Sequence, residues 1–498
     1  MSKLHEWNPE NAQAWASGGS RIAWRNLTFS VPSLLCAFCV WMFWSILTAK
    51  MKGVFPFDDT QLFTLVSIAG LAGATLRIPS SFLVALAGGR NVIGITTGLL
   101  IAPALGAGIA LQDIHTPFAT FAVLAVLSGV GGGNFSSSMN NINGFFPKRL
   151  SGLALGLNAG IGNLGVSVMQ FLIPVVMTGA LFGSLSGAPQ ITAAGKALYI
   201  SNGALVWVPL LIVVTLGSWF GMNNLPTHDS EPTSAAIGRI LGLQAAAMAV
   251  SGLGAWILVK NPKLPLGLQL GLIFLVILLC LGAMKLFPGK VKQSLDRQFA
   301  IFKMKHNWIM TLLYIMTFGS FIGYSASFPL LIKIVFKRDP SAYAFLGPLL
   351  GSLIRPVGGW LSDKLRGSVV TQWSTVIQIV GALLAAYYVK AAVGSPDPSP
   401  YFMGFMWSFM LLFLGSGIGN GSTFQMVPFI FEPQFAGPVL GWTAAAAAYG
   451  AYAIPTVFKS QIQHGTTENA LYGFAVFYLL CLALNWYYYT RKNAEVKC

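Results

Sequence analysis

Long apolar stretches recur along almost the whole chain, separated by short polar segments. A helix of about 20 mostly apolar residues crosses the hydrocarbon core of a bilayer. On that measure the pattern predicts spans near 29–49, 61–87, 92–112, 117–146, 150–179, 200–222, 236–259 and 265–287. Six more follow near 306–335, 342–362, 370–392, 401–431, 436–457 and 469–490, which makes fourteen. The fold class expected is therefore an all-α integral membrane protein.

The spans contain an internal echo. Ser128-Gly-Val-Gly-Gly-Gly-Asn134-Phe135 in the fourth span returns as Ser416-Gly-Ile-Gly-Asn420-Gly-Ser422 much later. Leu76-Arg77-Ile-Pro79 returns as Ile354-Arg355-Pro356, each time in the second span of its set. Two six-helix halves related by a pseudo-two-fold follow, 29–222 and 305–491. An N-terminal segment 1–28, a linker 223–304 with two extra helices, and a tail 492–498 complete the expected organisation. The extra pair matches neither half. Related halves with a site between them are a common transporter plan.

Composition sharpens this picture. Charged residues are only 9% of the 498, hydrophobic residues 55%, and mean hydropathy is +0.68. So few charges cannot cover a water-soluble surface, which excludes a soluble enzyme, a disordered chain and a secreted disulfide scaffold. The net charge of +16 is scattered in short groups between spans and forms no nucleic-acid patch. Cys36, Cys39, Cys280, Cys481 and Cys498 are odd in number and mostly intramembrane, giving neither a disulfide framework nor a metal set. The polar first 29 residues carry no cleavable-signal pattern. With the N-terminus inside, eighteen Lys and Arg fall on the cytoplasmic side and ten, Lys459 among them, on the other. That bias predicts both termini in the cytoplasm of a cell inner membrane.

Arg77 and Arg355 belong to no loop; each sits inside an apolar span. All fourteen acids and all five histidines fall in loops or at span ends. A mid-membrane charge is costly and faces a partner or a watery path, yet the core offers these guanidiniums no carboxylate. The plain alternative is that each bonds backbone carbonyls or snorkels to an interface. Two at equivalent repeat positions point instead to an anion site, and the planar paired donors of Arg suit a small planar oxyanion. Phe135 and Phe318 are placed to sandwich a flat anion. Polar residues from Asn134 to Asn141 predict an internal cavity, while the repeat glycines, Gly417, Gly419 and Gly421 among them, serve close helix packing and gating.

The run Gly131-Gly-Gly-Asn134-Phe135-Ser-Ser-Ser-Met139, with Leu155-Gly156-Leu157-Asn158-Ala159-Gly160-Ile161-Gly162-Asn163-Leu164-Gly165, closely resembles the nitrate/nitrite porter family of the major facilitator superfamily. So do Thr317-Phe318-Gly-Ser-Phe-Ile-Gly323 and Gly421-Ser-Thr-Phe-Gln-Met426; the likeness covers 20–222 and 304–491. The resemblance implies a rocker alternately exposing one central site for small inorganic anions, nitrate and nitrite, in the lipid bilayer. It implies Arg77 and Arg355 as the paired substrate arginines, Phe135 and Phe318 as flanking aromatics, and Tyr314 and Asn163 as polar neighbours. It adds Gly160, Gly162 and Gly165 as gating or packing glycines, and Asp363 as a structural loop acid. Two departures stand out. The extra helix pair has no counterpart, and Gly441–Pro455 carries alanines where the family's second signature has glycines.

No cofactor, metal or catalytic set is expected, and no nucleic-acid partner; the monomer is expected to suffice. No intramembrane acid or histidine is available for proton coupling, which favours exchange of nitrate for nitrite. Nitrate–proton symport is the alternative, because a tyrosine, a water chain or the substrate can carry a proton. A membrane-embedded enzyme or anion sensor is the reading from another class, and it lacks an interior acid-base or nucleophile set.

Overall fold

The computed structural model describes residues 4, 6–192, 195–226, 233–289, 292–293, 296 and 299–498. Lys3, His5, His228, Asp229, Glu231, Lys290 and Arg297, counted above with the loops, lie outside the described residues. Twelve described helices are long and apolar enough to cross a membrane. They are α1 (Ala12–Met51), α2 (Asp59–Ala87), α3 (Gly89–Ala110), α4 (Phe118–Phe145), α5 (Leu153–Val176), α6 (Asn202–Gly221), α7 (Thr233–Lys260), α8 (Leu266–Lys285), α9 (Lys305–Val335), α11 (Gly367–Val393), α12 (Ser399–Ile430) and α15 (Glu468–Thr490).

The other two expected spans are also helical but less apolar. α10 (Leu346–Leu365) carries Arg355 among glycines and serines. The second runs as α13 (Pro433–Ala448) and, across the single turn residue Tyr449, α14 (Gly450–Gln463), with tyrosines and Lys459 among its apolar residues. Both border the central cavity, and their glycines, prolines and polar residues lower their apolarity. The expected count of fourteen crossings thus reduces to twelve by length and apolarity, with these segments completing the bundle.

Local chemistry sets several helix ends. Asp58 and Gln61 cap α2 reciprocally, at 2.7 and 3.1 Å. Asn11 caps α1 by accepting from the amides of Gln13 and Ala14. The chain is therefore helical from Ala12, well before the expected 29, with a kink at Gly18 (φ +144°) before the helix that crosses the bilayer. Its start is anchored by Trp15 and Trp24 packed on Phe146. A two-stranded hairpin, β1 (Gln190–Ile191) with β2 (Ala197–Leu198), lies outside the bundle.

The two sets of six helices meet along three seams: α2 against α13 and α14, α5 against α10, and α1 against α9. The extra pair α7 and α8 packs on α2 and, through α8, on α14, so it spans the first seam. Large apolar side chains that stay exposed, such as Val213, Phe220, Phe274, Leu278, Trp373 and Trp407, belong to the outer helix faces, where a bilayer would cover them.

Candidate functional site

A cavity of about 1260 Å³ enters the bundle between α2, α4 and α5 on one side and α10, α12 and α13 on the other. Its mouth is framed by Asn143, Leu153, Asp363 and Phe429. Trp7 donates to the Gly144 carbonyl and Lys305 pairs with Glu495, so both chain ends lie at this open face.

The opposite face is sealed. Lys50 of α1 binds Asp339, which joins α9 to α10, at 2.7 Å, and also the Ser341 hydroxyl. Ser167 donates to the Phe345 carbonyl and Gln170 to the Ser325 carbonyl. Burial opposes the charge of Asp339, but bonds from Lys50 and Ser341 hold its carboxyl down at about 2.

Along the first seam a polar ladder joins α2 to α13 and α14. Gln463 reaches Thr60 at 2.9 Å, Lys459 reaches Thr64 at 3.3 Å, and Thr456 reaches Ser67 at 3.1 Å. The Tyr449 hydroxyl meets Thr75 at 3.0 Å, and Arg77 Nη1 donates to the Ala444 carbonyl at 3.2 Å. Beyond Arg77 the helices separate and Ile78, Ser81 and Phe82 line the cavity.

Arg77 sits at that fork, wholly buried. Its Nε donates to the Gly132 carbonyl at 2.9 Å, leaving Nη2 without a partner. Its guanidinium carbon lies 4.8 Å from the Phe135 ring, 5.2 Å from Phe318 and 5.4 Å from Trp41. Backbone carbonyls thus satisfy part of Arg77, as the plainer alternative supposed, but not all of it. Arg355 faces the cavity and is 7% exposed. Its Nη2 donates to the Tyr314 hydroxyl at 3.4 Å, Nη1 has no partner, and Phe424 lies 5.2 Å away. Among the described residues neither arginine forms an ion pair.

The two phenylalanines are stacked on each other, centroids 5.9 Å apart and 25° from parallel. A flat ion between rings takes about 7 Å, two contact distances of roughly 3.5 Å. The rings therefore touch, and Arg77 is shut behind them. Tyr314 stacks on Phe318 at 5.5 Å and 7°. A π-helical turn, Ile315–Gly319, inserts an extra residue into α9 and sets Tyr314 and Phe318 on this face. Asn163 lies one turn beyond cavity-lining Gly160, buried, with neither amide atom hydrogen-bonded and no bond to either arginine. The structure therefore brings Arg77, Arg355, Phe135, Phe318 and Tyr314 into one cluster.

The other expected residues divide. A Cβ on Gly162 would sit 2.6 Å from Leu34, and those on Gly165, Gly417, Gly419 and Gly421 would meet the Leu35 carbonyl, the Gly351 carbonyl, Thr317 and the Arg355 carbonyl. These five are close-contact positions. Gly160 is not, since a Cβ there meets nothing within 4 Å and the residue borders the cavity. Asp363 is exposed at the mouth and accepts from Gln425 at 3.3 Å. The polar run of α4 is only partly cavity-facing. Ser136 and Asn140 line it, but Asn134 donates to Thr97, Ser137 to the Ser80 carbonyl, and Ser138 joins Ser30 and Asn158.

One ionisable residue was misplaced by sequence reasoning. Lys459, assigned to a loop, is 3% exposed inside α14, bound to Thr64 and to Gln269 Oε1 of α8 at 2.7 Å. It lies at the end of a span whose apolar stretch stops short of it, so the hydropathy pattern put it outside. Its spacing with Thr456 and Gln463 on one helical face was the available signal.

A helical bundle with a repeat, a cavity open to one face and buried cations at its apex defines a multi-pass membrane transporter. Solved structures agree on the fold. Tetrameric PepTSo2 aligns with TM-score 0.60 at 13% identity, over 92% of this chain and 96% of its own. The xylose transporter XylE from Escherichia coli, in a partially occluded inward-open conformation, aligns with TM-score 0.58 at 11% identity, over 93% and 99%. No family model matches the chain. Curated relatives are closer. The "Probable nitrate/nitrite antiporter NarK2" of Thermus thermophilus is 38% identical over 99% of this chain and 98% of its own. The "Nitrate/nitrite transporter NarU" of Escherichia coli K12 is 34% identical over 99% and 97%. The chain belongs to the nitrate/nitrite porter family of the major facilitator superfamily.

Proposed function

We propose that this protein exchanges nitrate for nitrite across the cytoplasmic membrane by alternating access, with both termini in the cytoplasm and the cavity open inward. The observation that carries this reading is the pair of arginines at the cavity's apex, each with an unpartnered nitrogen and neither with an acid. The halves 29–222 and 305–491 are the rocking bodies, and the anion lies between Arg77 and Arg355 once Phe135 and Phe318 part to admit it. The anion then takes the free Nη2 of Arg77 and displaces the Ala444 carbonyl from Nη1, exchanging a bond to a neutral acceptor for one between opposite charges. An empty site holds two like charges with no counter-ion between them, which opposes closure until an anion neutralises them. That requirement makes the carrier an exchanger. Proteoliposomes loaded with nitrite are expected to take up nitrate with no pH gradient; uptake that needs an inward proton gradient contradicts exchange.

Nitrate–proton symport has one observation behind it. Lys459 is a buried titratable group in the moving seam, with no acid beside it. Lys459→Met separates the readings: exchange survives it, and a proton-driven uptake would not.

A further inference from the structure

We propose that Ser352, Asn420 and Arg355 form a separate staging subsite for a planar oxyanion on the α10–α12 wall, occupied before the anion reaches Arg77. This rests on the anion-exchange reading above and assigns it a second position. Arg355 is open to the cavity, whereas Arg77 is sealed behind the stacked rings of Phe135 and Phe318. An ion entering from the open face therefore meets the second arginine alone.

Two neutral groups stand beside it. Ser352 is one helical turn before Arg355, on the same face of α10, and its buried hydroxyl has no partner. Asn420 borders the cavity from α12, is 1% exposed, and its Oδ1 also has no partner. The next residue, Gly421, has no side chain where α12 presses on the Arg355 carbonyl, so Asn420 is held against the arginine's own turn. Buried polar atoms left unpaired are costly, and their presence together marks a place for a ligand.

The internal repeat shows that this wall is not generic scaffold. The positions equivalent to Ser352 and Asn420 in the first half are Ala74 and Gly132. There the backbone does the work, since the Gly132 carbonyl takes the Nε of Arg77. The second half instead offers side chains that can donate to an anion. Arg355 supplies charge and a free N–H, and the Ser352 hydroxyl donates. The Asn420 amide, with no bond holding its Oδ1, can turn to present Nδ2 as a second directional neutral donor. Phe424 covers the guanidinium and confines a flat ion beside it. Directional donors around a charge favour a planar oxyanion over a spherical halide of equal charge.

The test is exchange by the full-length protein in proteoliposomes, with chloride as competitor. In Ser352→Ala and Asn420→Leu, the nitrate concentration for half-maximal exchange from the open face is expected to rise about fivefold each, the loss of one hydrogen bond. Chloride is expected to compete better against nitrate in both, a change that a merely structural defect would not cause. Ser352→Ala carries the test if Asn420→Leu does not assemble. Wild-type half-saturation and a wild-type chloride ratio in Ser352→Ala, beside active wild-type exchange, overturn the subsite and leave the exchange reading intact. A wild-type protein that exchanges no nitrate overturns both.

Discussion

The two arginines occupy equivalent repeat positions but different environments. Arg77 has two backbone carbonyls and three aromatic rings; Arg355 has a tyrosine hydroxyl, one ring and open space. Their isolation from acids was legible in the sequence, because every Asp and Glu could be counted outside the spans. Their unequal accessibility was not, since it depends on how two phenylalanine rings from different helices meet. Away from the membrane interior, Asp339 is the residue whose titration tests the sealed face. Its folded pKa is depressed to about 2, so its bond to Lys50 is fully present above the usual carboxylate range and is lost only as pH falls through that value. Ser167→Cys places a reporter thiol at the sealed face. Its labelling rate, relative to the same thiol in denatured protein at the same pH, is therefore expected to be flat from pH 8 to about 4 when Asp339 is intact. Asp339→Asn is expected to raise labelling across that same range. A rise near pH 6 with Asp339 intact would show that another group controls closure.

At the scale of elements, the alternating access proposed above makes the seam between α2 and the α13–α14 pair one that must part for the sealed face to open. Thr60, Thr64, Ser67 and Thr75 face Gln463, Lys459, Thr456 and Tyr449 at helical intervals, so the ladder can part rung by rung as the halves tilt. Linking Thr60→Cys to Gln463→Cys with a short bifunctional thiol reagent is expected to abolish exchange, and cleaving the linker to restore it. Full exchange by the linked protein would contradict a seam that opens there. The glycines act at the same scale. Gly421→Val places a branched side chain against the Arg355 carbonyl and is expected to reduce folded protein in the membrane, whereas Gly160→Ala, where a Cβ meets nothing, is expected to fold normally. The repeat spacing made the glycine runs visible in sequence. It did not distinguish packing from cavity-lining members, because that depends on which helix stands opposite each one. The π-helical turn under Tyr314 and Phe318 left no mark on hydropathy either, since one extra residue in a uniformly apolar helix preserves its composition.

At the scale of the whole molecule, span positions and the repeat were readable because a bilayer crossing demands long apolar runs. The exceptions, α10 and α13–α14, are diluted by the glycines, prolines and polar residues that border the cavity and the first seam, not by burial as such, since α2 and α9 are largely buried and remain apolar. The extra pair matched nothing in sequence, and its place became clear only from contacts. Gln269 receives Lys459 Nζ on its side-chain oxygen and the Tyr452 hydroxyl on its carbonyl, Gln244 donates to Ser80, and Arg239 to the Leu86 carbonyl. The pair thus braces the seam between the halves. Deleting residues 230–295 is accordingly expected to remove all of these braces together, at Tyr452, Ser80 and Leu86 as well as Lys459, and to abolish exchange; a deletion that inserts normally and retains exchange would show that the pair is peripheral.

The central claim is that Arg77 and Arg355 together hold the anion, and nitrate binding to purified protein tests it most directly. Arg77→Lys and Arg355→Lys each keep the charge and lose the planar fork. Each is expected to weaken nitrate binding at least about tenfold, the loss of one charge-assisted bond of roughly 1.5 kcal/mol or more. Wild-type affinity in either variant would remove that arginine from the site and contradict the account.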